Sequence, residues 1–298
     1  LLMLVSVLLM SATQLTSIRE AKAYNYSLIY APNYYVGGLD DQYEGTTTNY
    51  VTDYIQQLFQ LYGQNYNSGT IIKQQDGQAV DSTYFYWACN AELYGDHVAF
   101  FSKGHASSIN FTGHLEHHYM MDHNGNPVYD RNYGYYTSAG KHTFVFMWHC
   151  GTTEDYIRYG NMYCTACNGY SSMPMAFARD NTMSLNGYGT GADTGAHVFV
   201  GHKGWSPQFR SNNGLYPGYW YSDFVSYIYQ FFLHDHDSTT LALQKACYIV
   251  YGGNADFPST WVGTFKAGWD PDGLGGPLPA ADSQMQVIGN GNLGVPGY

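Results

Sequence analysis

Charge is scarce in this chain. Only 12% of its 298 residues are charged, with 12 Lys and Arg against 23 Asp and Glu, and the formal net charge is −11. So few cations cannot neutralise many phosphates, which disfavours nucleic acid and anionic membranes as partners. Long apolar runs are lacking as well. The sequence opens Leu1-Leu2-Met3-Leu4-Val5-Ser6-Val7-Leu8-Leu9-Met10, too short to span a bilayer comfortably, and Arg19, Glu20 and Lys22 come soon after. With the small-x-small pattern Ala21-Lys22-Ala23, this stretch reads as a secretory signal over 1–23, cut after Ala23. With no initiator Met and no basic region ahead of the apolar run, residue 1 is expected to fall inside that signal. Expected localisation is therefore secreted or at the cell surface.

Cysteine is sparse and odd in number: Cys89, Cys150, Cys164, Cys167 and Cys247. In an oxidising compartment two bridges leave one free thiol, expected here to be Cys150. The disulfide candidates are then Cys164, Cys167, Cys89 and Cys247, with their connectivity open. What the chain has in abundance is tyrosine, 31 residues, giving a surface polar through hydroxyls and amides. Asn25-Tyr26-Ser27 and Asn110-Phe111-Thr112 are glycosylation sequons, meaningful only after export.

Ser27-Leu28-Ile29-Tyr30 reads as a first strand. Val51, Tyr54, Ile55, Leu58, Phe59 and Tyr62 then form one stripe of an amphipathic helix stopped by Gly63. Thr70-Ile71-Ile72 is a second strand. Ser82 or Thr83 is a cap for a helix burying Phe85, Ala88, Cys89 and Leu93. A third strand comes after Gly95, so the order β-α-β-α-β predicts an α/β fold with a parallel sheet and right-handed crossovers. Further on, 196–201 reads as a buried strand and Tyr119 to Tyr129 as a hairpin around Asn124-Gly125. Phe224, Tyr227, Ile228, Phe231 and Phe232 mark another helix, Ser238 caps the next, and Met285 to Gly289 is a candidate last strand. The main domain is placed at 24–253, with 254–298 as a Gly/Pro-rich extension that contains this candidate strand.

Two apolar runs organise the rest. His97-Val98-Ala99-Phe100-Phe101 breaks at Ser102-Lys103-Gly104-His105-Ala106, and Thr143-Phe144-Val145-Phe146-Met147-Trp148 breaks at His149-Cys150-Gly151. Both read as buried parallel strands. Ligands of open α/β sheets bind beyond the carboxyl ends of strands, so neighbouring strands would bring His105 and Cys150 to one rim. A thiol beside an imidazole is the raw material of a hydrolytic nucleophile.

These two strand ends resemble the caspase-like cysteine peptidases, the group of caspases, metacaspases, legumains and gingipain-type enzymes. Their pattern is a strand ending Ser-Gly-His-Gly, then one ending Ala-Cys. Cys150 stands 45 positions after His105, near the roughly 50 separating the pair in caspases. The resemblance implies a three-layer α/β sandwich with about six mostly parallel strands, and a secreted endopeptidase acting on protein or peptide substrates. It implies Cys150 as nucleophile, His105 as acid/base, and the backbone N–H groups of Ala106 and Cys150 as the oxyanion hole. It also implies Trp205 and Ser206 as a substrate wall and Asp40 and Asp41 as loop acids near the pocket. The departures are Lys103 inserted before Gly104, Ala106 where Gly is usual and His149 where Ala is usual. On an alternating strand His149 should point opposite Cys150, into the helix layer.

His114, Glu116, His117, His118, Asp122 and His123 crowd ten positions. His114, His118 and Asp122 are candidate metal ligands if this piece is helical, but Gly113 and the Asn124-Gly125 turn favour a solvated polar insertion beside the site. Cys164-Thr165-Ala166-Cys167 lacks the second Cys-x-x-Cys of a zinc site. The acidic turns 122–130 and 270–272 offer oxygen ligands of the kind calcium takes, without the spacing of a recognised calcium loop. No cofactor is expected. The competing expectations are an inactive binding protein that keeps the fold, and a metalloprotein built on the histidine cluster.

Overall fold

The computed structural model describes residues 24–34, 38–110, 116–159, 163–164, 169–170, 172–178, 195–204, 206, 209, 221–251 and 283–296. The expected signal over 1–23 lies outside them. In chain order the first elements are β1 (Tyr24–Ala31), α1 (Gly38–Tyr62), β2 (Ile71–Gln75), α2 (Asp81–Tyr94) and β3 (Gly95–Lys103). Next come β4 (Ala106–Asn110), β5 (Glu116–Met121), β6 (Pro127–Tyr129), α3 (Asp130–Tyr136) and β7 (His142–Trp148). After them stand α4 (Glu154–Tyr159), β8 (Tyr163–Cys164), β9 (Gly169–Tyr170), α5 (Met173–Phe177) and β10 (Val198–Gly204). Finally there are α6 (Tyr221–Leu233), α7 (Thr239–Tyr251) and β11 (Ser283–Gly289).

The central sheet has six strands in the order β11-β10-β7-β3-β1-β2. Every pairing is parallel except β10–β11, which is antiparallel. Its inner strands carry unbroken apolar runs, Val98 to Phe101 and Phe144 to Trp148 among them, because both faces are covered there. Ala99, Phe101, Phe144, Phe146 and Trp148 face α1, α6 and α7, whereas Val98, Phe100, Val145 and Met147 face α2, α3, α4 and α5. The result is a three-layer α/β sandwich. Side chains such as Phe146, fully buried, carry its stability; truncating a buried Phe to Ala typically costs about 3–5 kcal/mol.

Several local expectations shift. The first helix begins at Gly38, well before the apolar stripe starts at Val51. In α2 neither Ser82 nor Thr83 caps: Val80 precedes the helix without a capping side chain, and the Asp81 backbone N–H is met by Asp122 Oδ2 at 3.0 Å. Its buried residues are Tyr84, Ala88, Ala91 and Glu92, while Leu93 is 64% exposed. The stacking of Tyr84 on Tyr30, centroids 3.9 Å apart, sets that rotation. Ser238 does cap α7, with its Oγ accepting the Leu241 N–H at 3.3 Å.

The hairpin expected over Tyr119 to Tyr129 is present, as β5 and β6, and it gains a third strand. Strands β4, β5 and β6 form a separate antiparallel sheet, with Asn124 and Gly125 in the β5–β6 turn and Gly125 at φ 79°. Further along, β11 completes the central sheet as its antiparallel edge strand. Tyr66 O–H donates to the Pro296 carbonyl at 2.9 Å, fastening the segment beyond β11 near the end of α1.

Candidate active site

β3 and β7 are adjacent and parallel, with Lys103 opposite Trp148 in register. Two residues past each strand end stand His105 and Cys150. Both line one cleft of about 380 Å³, together with Ala106, Ser107, Ser108, His118, Gly151, Glu154 and Gly204. The condition that the strands be neighbours is met.

Strand alternation decides where the unexpected residues go. His149 points into the α2–α5 layer and is fully buried, opposite in sense to Cys150. Its Nδ1–H donates to the His105 carbonyl at 3.0 Å, and Nε2 accepts from Ser102 Oγ at 2.8 Å. Ser102 in turn lies 3.3 Å from the Tyr84 hydroxyl, whose proton burial holds tightly. Burial pushes the His149 pKa down to about 3, with the nearby Lys103 charge adding to the shift. It is therefore a neutral imidazole with a fixed tautomer. Lys103 leaves the cleft on the other face, where its Nζ meets Glu44 Oε1 at 2.6 Å and lies 5.2 Å from the Phe209 ring centre.

Ala106 opens β4 with no positive φ, so the missing glycine imposes no backbone strain. The Met121 N–H donates to the His105 carbonyl, which makes Ala106–Met120 a non-hydrogen-bonded pair. The Ala106 N–H is consequently turned away from β5. Such a donor at the cleft is what an oxyanion needs.

The Cys150 sulfur accepts the Ser206 backbone N–H at 3.3 Å and lies 3.5 Å from Ser206 Oγ. Ser206 thus touches the thiol itself. Trp205 lies outside the described residues. Asp40 and Asp41 fall in the first turn of α1, and their side chains are likewise outside the described set.

Of the histidine cluster, His117, His118 and Asp122 are buried, not solvated as expected. His117 and Asp130 are fully buried and paired, Nδ1 to Oδ2, at 3.0 Å; burial pushes the Asp130 carboxyl pKa up, against the His117 hydrogen bond. His118 Nδ1–H donates to Asp155 Oδ2 at 2.9 Å, and its backbone N–H donates to the same oxygen at 2.8 Å. Its Nε2 is 3.6 Å from Glu154 Oε2. Asp122 stands apart, its carboxylate accepting from the backbones of Asp81, Asn124 and Asn126. His114 lies outside the described residues. Among the described residues no group of three or more His, Cys, Asp or Glu converges as metal ligands.

Cys89, Cys150 and Cys247 are free thiols. Cys89 sits on α2 and Cys247 on α7, covering opposite faces of the sheet, so the disulfide role allowed to these two is not what the structure shows. Cys167 and the Cys164 side chain are outside the described residues.

Compared with known protein families and with curated proteins, the chain matches none. The fold and the cleft by themselves define an α/β sandwich presenting a thiol and two imidazoles at one sheet edge. Sequence reasoning missed Glu154 and Asp155, the acids that reach His118. The visible signal was an acidic pair opening a helix just after Cys150, at the usual place for acids in a first turn.

Proposed function

We propose that this protein is a cysteine hydrolase, an endopeptidase of caspase-like type acting on exported or surface-exposed protein and peptide substrates. One observation carries it: His105 and Cys150 emerge from adjacent parallel strands into one cleft. In this reading His105 accepts the thiol proton and Cys150 sulfur attacks the scissile carbonyl. The oxyanion is met by the N–H groups of Ala106 and Cys150. The amine leaves after protonation, and water releases the acyl group. Ser206 borders the thiol and belongs to the substrate wall. The secreted or cell-surface location forms part of the same proposal; no helix among the described residues is long and apolar enough to cross a membrane.

The test is cleavage of a peptide library by the wild type, with Cys150→Ala as control, alongside iodoacetamide labelling of Cys150. Cleavage lost in Cys150→Ala and labelling lost in His105→Ala support the hydrolase. An unreactive Cys150 and an uncleaved library leave the inactive binding protein as the surviving account.

A further inference from the structure

The cleft holds a second imidazole that the dyad does not use. His118 reaches it from β5, and two contacts fix its orientation. Asp155 Oδ2 receives both the Nδ1–H and the backbone N–H, so Nε2 is the ring nitrogen turned to the cleft. Gly151 lies against the ring edge so closely that a Cβ there would come within 2.7 Å of Nε2. Nε2 is thus one residue away from the nucleophile. Glu154 faces it at 3.6 Å and is itself anchored by the Gly204 N–H to Oε1 at 2.8 Å. Asp155 is almost fully buried, and its Oδ1 has no hydrogen-bond partner among the described residues. A buried carboxylate so placed needs a nearby positive charge. An imidazole backed by one carboxylate and faced by another is built to carry a proton.

We propose that His118, clamped by Asp155, is the general acid that protonates the leaving amine, so that two imidazoles divide the proton transfers. This rests on the hydrolase reading and reassigns one of its protons. The Cys150 thiol proton passes to His105 as the sulfur–carbon bond forms. As the carbon–nitrogen bond breaks, the proton on His118 Nε2 goes to the departing nitrogen. Neutral His118 then takes a proton from water, whose oxygen attacks the acyl carbon. The sulfur leaves and recovers its proton from His105, restoring the starting state.

A general acid matters for a poor leaving group and little for a good one. The experiment compares acylation by an amide and a p-nitrophenyl ester of one acyl group, with enzyme concentrations set by iodoacetamide titration of Cys150. His118→Gln and Asp155→Asn are expected to lower the amide-to-ester rate ratio by about 10²-fold or more. Glu154→Gln, at a partly exposed position tolerant of change, should lower it several-fold. A purely structural role would slow both substrates together and leave the ratio unmoved, which overturns the proposal. Wild-type protein that is acylated by neither substrate overturns the hydrolase reading and this role with it. Wild-type acylation by both, with an unchanged ratio in all three variants, overturns the role of His118 alone.

Discussion

His149 donates from Nδ1 to the carbonyl of His105 across 3.0 Å, so the residue preceding the thiol holds the backbone of the residue proposed as its base. Where the caspase-like pattern has Ala, this chain has a buried tie between its two strand ends. Replacing His149 with Ala should loosen the His105 turn, leaving its carbonyl with the Met121 N–H alone and Ser102 with the Tyr84 hydroxyl alone. Removing two buried hydrogen bonds should cost about 1–3 kcal/mol of stability. The Cys150 alkylation rate should fall with it, beyond the share of protein unfolded. Urea denaturation together with timed iodoacetamide labelling checks both.

Gly151 sits at φ 66°, with His118 Cδ2 only 2.5 Å from where a Cβ would stand. Gly151→Ala therefore meets strain in the backbone and a clash with the ring. The expected result is a loss of at least about 1 kcal/mol and a displaced imidazole. A melting curve and the amide-to-ester ratio report the two effects separately.

The three described thiols should separate cleanly under labelling. Cys247 is buried on α7 and burial pushes its pKa up to about 12, so it should label only after denaturation. Cys150 should label first in the folded protein, since the proposed base stands in its cleft. Ser206→Pro, which removes the N–H given to sulfur, should slow Cys150 labelling by about tenfold, the worth of one such hydrogen bond to a charged group. Ser206→Ala keeps that N–H and should change the rate little. Peptide mapping by mass spectrometry reads all of these.

Two buried histidines make the fold sensitive to acid. His149 and His202 each have a pKa lowered by burial to about 3, against an ordinary 6.5. Below pH 6.5 the unfolded chain takes up protons that the folded chain refuses. Their contribution is complete above that pH and is lost as pH falls toward 3. At pH 4.5 each should have cost about 2–3 kcal/mol relative to pH 7. Asp130, whose pKa burial raises, acts in the opposite direction. Urea midpoints from pH 7 to 4.5 should fall, and His202→Asn should flatten the slope by one histidine's share.

How far the sequence reveals all this depends on what each residue answers to. The strands of the central sheet were legible because Phe100, Phe101, Phe144 and Phe146 must be apolar on both faces, and an unbroken apolar run announces that. The rim could be read from the strand ends, as could the inward turn of His149. The small sheet of β4, β5 and β6 was mostly hidden, because Ser107, Ser108, His117 and His118 look like solvent-exposed residues. Burial of the two histidines depends on Asp130 and Asp155, 13 and 37 positions further along. Pairing of that kind leaves no periodic mark. Helix α2 misled for a similar reason: Tyr84 and Glu92 are polar by type yet buried by stacking and hydrogen bonding.

The antiparallel partner of β10 bears on how the molecule is made. The outer edge of β10 stays bare until residues 283–289 have left the ribosome, and the Tyr66–Pro296 tie closes later still. The rim bearing Cys150 borders that bare strand, so a nascent chain displays an open sheet edge, a ready template for wrong pairing, until β11 arrives. That exposed edge persists well after the thiol itself has been made.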